Sequence, residues 1–207
     1  MNDGSSALVF WILVPLFLAV GLYLIWYSRR RKKMLEAFAS MHQFPIRSSH
    51  KDKLQKTLDT NFSLEDRGLV RRFGQLSSVV DGGQIYLFRA VELLDLNPHA
   101  KSYTTHFSRI VALFDISTDH NEFFILDRSM QTHQRLPESK IPNHNVIEIS
   151  KRIAKSCNAR HALSITLTRG HGLIYFEPLV TGGETIDDIN SLHCIAENMC
   201  EKLSGNV

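Results

Sequence analysis

Residues 77–93, "SSVVDGGQIYLFRAVEL", decide the fold. Asp81-Gly82-Gly83 stands between two runs rich in β-branched and aromatic residues. That arrangement is a β-hairpin signal, with glycine supplying the backbone angles a tight turn needs. After a break at "NPHAKSY" (97–103), "THFSRIVALFDI" (105–116) provides a long strand. Its apolar side chains fall on both faces, as in a strand buried on both sides. "EFFILD" (122–127) adds another strand, and "VIEI" (146–149) follows a proline-bearing loop as a shorter one. In "ALSITLTRGHGLIYFEP" (162–178), Leu163, Ile165 and Leu167 alternate with Ser164, Thr166 and Thr168, and Gly170-His171-Gly172 supplies a turn. The alternation predicts a second hairpin with one buried face.

Helices flank this sheet region. Thr185 is placed to N-cap a last helix, with Asp188 three residues on as the acidic partner of a capping box. Ile189, Leu192, Ala196, Met199 and Leu203 recur at gaps of three and four, which puts them on one helical face. "MLEAFASMH" (34–42) reads as helix ending before Pro45, because the residue preceding a proline is pushed away from helical angles. Short helices are expected around Leu54–Leu58 and near Leu64–Phe73, and one or two helical turns at "KRIAKSC" (151–157). The fold class is therefore α+β: an antiparallel sheet packed with helices, the last of them amphipathic.

The N-terminal third has a different character. From Ala7 to Tyr27 there is no charged side chain, and a helix of that length spans about 30 Å, the thickness of a hydrocarbon core. Trp11 lies near one end and Tyr23, Trp26 and Tyr27 near the other, where amphipathic rings favour the membrane interface. Arg29, Arg30, Arg31, Lys32 and Lys33 follow the run, while only Asp3 precedes it. A cleavable signal peptide carries its cations first and ends on small residues. The opposite order predicts a single-pass anchor with the C-terminal part cytoplasmic. The expected divisions are a short extracytoplasmic tail at 1–6, a transmembrane helix at 7–27, a basic juxtamembrane segment and helix at 28–47, and a cytoplasmic α+β domain at 48–207. The five cations form a lipid-facing basic cluster, each contributing roughly 1 kcal/mol near an anionic surface.

Charge excludes a nucleic-acid function. The formal net charge is +3, but beyond Lys33 there are 19 basic residues against 20 acidic ones. A nucleic-acid domain keeps its excess cations on its own surface. The three cysteines, Cys157, Cys194 and Cys200, form no C-x-x-C pair. They read as small apolar fillers in a reducing compartment, with neither a disulfide framework nor a zinc site.

Gly82-Gly83 before a strand containing Leu87-Phe88, the opening Tyr103-Thr104-Thr105, the strand end Ile110-Val111-Ala112-Leu113, the Gly-led "GLIYF" (172–176) and the final helix form one pattern. Residues 81–203 so marked resemble the cytoplasmic domain of uncharacterised bacterial proteins anchored by one N-terminal membrane helix. The resemblance implies a protein of the bacterial inner membrane and carries over no catalytic residue.

No catalytic motif stands out. Ten histidines are many for 207 residues, yet no two fall at i,i+4 and there is no H-E-x-x-H. There is no G-x-S-x-G elbow. "TGGET" (181–185) lacks the Gly-Lys-Ser/Thr of a phosphate loop. The most site-like stretch is "KSYTTH" (101–106). Its Tyr103, Thr105 and His106, with His120 and His133, are the weak polar-site candidates. No cofactor or metal is expected. The leading expectation is a membrane-anchored interaction or accessory module contacting membrane lipid and another membrane or membrane-proximal protein. The alternative is a small-ligand sensor or enzyme whose site is assembled from loop histidines.

Overall fold

The computed structural model describes residues 3–66, 69–95, 104–133, 143–177 and 184–204, with some side chains within these segments left out. Helix α1 spans Asp3–His42 and is followed by a 3-10 turn at Ser48–His50 and α2 at Lys51–Asn61. Strands β1 (Leu64–Asp66), β2 (Leu69–Asp81), β3 (Ile85–Asp95), β4 (Thr104–Leu126) and β5 (Thr132–His133) come next. Helix α3 (His144–Ser156), β6 (Leu163–Phe176) and α4 (Ile186–Leu203) complete the order. All six strands join one antiparallel sheet in the order β1-β2-β3-β4-β5, with β6 also on β4.

Strand periodicity sorts the side chains into two cores. Leu87, Ile110, Ala112, Phe114, Ile174 and Phe176 face the layer made by the C-terminal part of α1 with α3 and α4. Their neighbours Phe88, Val111, Leu113, Leu173 and Tyr175 face α2, which contributes Leu54, Leu58 and Phe62. Strand β4 is thus buried on both faces, as its apolar run predicts. The DGG hairpin is present: the Gly82 amide donates to Ile85 O (2.9 Å) and the Gly83 amide to Asp81 Oδ1 (2.9 Å). Gly83 sits at φ +86°, where a side chain would be strained.

Helix α4 follows its sequence signals. Thr185 and Asp188 form a reciprocal capping box, and all five stripe residues are buried. Helix α1 ends at His42, ahead of Pro45. Leu35, Phe38 and Ala39 of α1 are buried in the core, so the folded unit takes in the helix that precedes residue 48.

Several elements differ from expectation. Residues 69–73 are strand, where a helix near Leu64–Phe73 was expected. "VIEI" and "KRIAKSC" merge into α3, because Val146, Ser150, Ile153 and Ala154 line one helical face and the Asn143 side chain accepts from the Asn145 amide at the N-cap (2.9 Å). The second hairpin is absent. Residues 163–176 form one strand that pairs along β4, and 105–126 also run through as one strand with register shifts at Asp115–Asp119 and Asp119–Glu122. Cys157 and Cys194 are joined by a disulfide with Cα atoms 5.9 Å apart, which replaces the reading of three free thiols. Only Cys200 stays free among the described residues; it is buried, and burial pushes its thiol pKa up.

Among the described residues no helix is long and apolar enough to cross a membrane. Six residues of the uncharged run Ala7–Tyr27 (7–10, 12 and 24) are described in backbone only. In the remainder of that run α1 is apolar and, apart from half-buried Gly21 and Tyr27, exposed: Trp11 is 75% exposed, Phe17 71% and Leu22 66%.

Candidate functional site

A cavity of about 280 Å³ opens where α1 meets the sheet and the start of α2. Four cations line it: Arg29 and Lys32 from α1, Lys51 from α2 and Arg89 from β3. Ser48, Ser77 and Ser78 supply hydroxyls, and no carboxylate is among the lining residues. Arg29 and Lys32 are three residues apart and so share a face of the helix.

The wall contributed by β2 is irregular for a specific reason. Its pairing with β3 slips between Gly74 and Ser77 and again between Ser77 and Val80. Each slip carries a non-glycine residue in the left-handed region, Gln75 at φ 51° and Ser78 at φ 54°. Two successive bulges re-aim the side chains of the strand and store local strain. They keep Phe73, Leu76 and Val79 in the α2-side core at a spacing of three. They also set Ser77 opposite Arg89, whose Nε donates to Ser77 Oγ (2.9 Å). Burial lowers the Arg89 pKa, and the nearby Arg31 cation lowers it further.

Arg31 departs from the lipid-facing role predicted for it. It is 6% exposed, with Nε 2.8 Å from the Glu184 carboxylate. Its Nη1 donates to Ser108 O and its Nη2 to Tyr27 Oη (2.8 Å). The contact with Glu184 is an ion contact and not an aligned hydrogen bond, since neither Arg31 Nε nor that carboxylate oxygen has a bonding partner of proper angle. Helical rotation explains the difference, because consecutive positions point about 100° apart and the five cations cannot share one face. Arg29, Arg30, Lys32 and Lys33 are exposed.

The polar-site candidates do not converge among the described residues. Tyr103 lies outside them. Thr105 and His106 lie on β4 opposite Leu94 and Leu93, and their side chains are not described. His120 sits much further along β4, within the register shift between Asp119 and Glu122. His133 on β5 meets Asp127 Oδ2 at 2.7 Å. The His133 and Ser129 hydrogen bonds hold Asp127 well below the usual carboxylate range. With the Ser129 and Gln131 amides also donating to Asp127 (both 2.8 Å), this is a turn built around one carboxylate. Among the described residues no group of three histidine, cysteine or acidic side chains is placed to hold a metal.

Sequence reading missed a buried ionic network on the α2 side of the sheet. Glu92 Oε1 accepts from Arg71 Nε (3.0 Å) and Tyr175 Oη (2.7 Å), and Oε2 from Arg109 Nη2 (3.1 Å). Arg71 also donates to Tyr175 Oη (2.8 Å) and Thr166 Oγ1 (3.2 Å). With Glu177 Oε2 3.8 Å from Arg109 Nη2, two guanidinium groups face two carboxylates, and the network ties β2, β3, β4 and β6 together. At 0–2% exposure for Arg71, Glu92, Arg109 and Tyr175, it acts as a lock on the sheet. A charged residue at an inward-facing strand position was the available signal.

No family model, curated protein or solved structure matches the chain.

Proposed function

We propose that the chain is a membrane-anchored accessory module whose α+β domain is held against its own anchor helix on the cytoplasmic face, where it engages a membrane or membrane-proximal protein. The observation that carries this reading is the bare apolar surface of α1 between Trp11 and Trp26. Soluble monomers rarely expose a contiguous patch of that kind. The order of apolar run and cations favours the cytoplasmic side. Because the same helix continues into the core through Leu35, Phe38 and Ala39, the domain is a rigid extension of the anchor. Tethering of that sort raises the effective concentration near a membrane partner without high intrinsic affinity.

The test is fractionation of the full chain followed by affinity purification from detergent, with and without residues 34–207. The expected result is retention in the membrane pellet under alkaline wash and a co-purifying protein that depends on 34–207. A chain found in the soluble fraction defeats the anchor, and the absence of any domain-dependent partner defeats the interaction role. The sensor or enzyme reading has less to rest on, because His106 and His120 stand far apart along β4 and the His133 ring is taken up by Asp127.

A further inference from the structure

We infer that the cavity between α1, the start of α2 and the bulged part of β2 binds a phosphate-bearing anion. The two guanidinium groups of Arg29 and Arg89 offer planar, forked donors matched to phosphate oxygens, and Lys32 and Lys51 add point charges. Ser48, Ser77 and Ser78 add neutral donors at the same wall. Four cations around one cavity, with no acid lining it, repel one another, and an anion between them relieves that repulsion.

Of the described acids nearby, Glu36 pairs with Lys32 at 3.6 Å on the exposed helix surface and offsets part of that one charge, and Asp81 is taken up by Arg47 (3.2 Å) and His50 (3.6 Å). The strained bulges at Gln75 and Ser78 supply a second, independent observation, since backbone in sparsely populated conformations gathers at ligand sites. The volume, at the low end for ligand pockets (about 300 Å³ and upward), suits a phosphate with a small substituent. Two sources share this chemistry: the headgroup of an anionic phospholipid, which Arg29 and Lys32 would meet directly beyond the apolar run, and a soluble phosphate. The headgroup source rests on the anchored reading, and the soluble source does not.

The full chain in a neutral detergent is titrated with inorganic phosphate. It is then reconstituted in phosphatidylcholine vesicles with and without phosphatidylglycerol, with thermal unfolding as the readout. Ligand that binds the folded state raises the midpoint. The midpoint is expected to rise with phosphate, with phosphatidylglycerol, or with both, and the arm that responds names the source. Lys51→Gln, an exposed position safe for folding, and Arg89→Gln are each expected to weaken the response by about tenfold or more, as loss of a charged hydrogen bond does. Arg30→Gln, an exposed cation outside the cavity, is expected to leave it unchanged. The proposal is overturned if neither ligand shifts the midpoint, or if Lys51→Gln and Arg30→Gln weaken the response equally. A chain that fractionates as soluble and still responds to phosphate removes the anchor and keeps the site. A membrane-bound chain with no response removes the site and keeps the anchor.

Discussion

Arg31 and Glu184 show what a single position in a basic run can do. Burial raises the Glu184 pKa above its ordinary 4.5, and the Arg31 charge opposes that rise. The folded chain therefore holds the Glu184 proton more tightly than the unfolded one. The stability linked to this carboxyl is fully present below 4.5 and is lost as pH climbs through the raised folded value. In denaturant titrations, the wild type is expected to gain on Glu184→Gln as pH falls from neutral to 4.5. A pH-independent difference would mean that the carboxyl is not buried. Arg31→Met strands the carboxylate and is expected to cost about 3–5 kcal/mol, whereas Arg30→Met, on the exposed side, should change little. None of this was legible in "RRRKK" alone. The linear pattern shows five cations, and only the tertiary partner, far along the chain, picks out which one turns inward.

At the scale of elements, the sequence was readable wherever the local signal and the tertiary result agree. The Gly82-Gly83 turn, the two-faced β4 core and the capping box of α4 are such places. It misled where glycine has two possible jobs. Gly170-His171-Gly172 has the composition of a hairpin turn, yet Gly172 pairs with Phe114 in the middle of a continuous strand. A methyl group at Gly172 would overlap the Phe114 ring, which lies over the glycine. Gly172→Ala is therefore expected to destabilise the domain by about 1–3 kcal/mol, the usual cost of overpacking. Phe114→Leu introduced alongside should recover part of that loss, and a double-mutant cycle in urea measures the coupling. Additive effects would mean that the ring does not decide the residue. In α3 the error had another source: "VIEI" is short, apolar and β-branched, and only its continuation to Ile153 and Ala154 reveals the helical period.

At the scale of the whole molecule, two features pull the topology in opposite directions. Under the proposed anchoring, the cations after the apolar run favour a cytoplasmic domain, a compartment where disulfides are kept reduced. The Cys157–Cys194 link ties the end of α3 to α4 across 37 residues. By chain entropy such a link contributes at most about 4 kcal/mol. Both tendencies can hold at once, because Cys157 is buried and a thiol there packs as a small apolar group. A cytoplasmic domain is thus expected to carry this pair as thiols in the cell and to form the bond once exposed to air. Alkylation of acid-quenched cells should label Cys157 and Cys194, and the Cys157→Ala, Cys194→Ala double variant should accumulate to wild-type levels. A domain on the outer side would give the reverse: a bond already formed in the cell, and a double variant less stable by about 2–4 kcal/mol and scarcer at steady state. A reporter fused after Val207 locates the same end independently. An oxidised pair together with an external reporter would turn the anchor around while leaving the fold, the Arg31–Glu184 contact and the basic cavity in place.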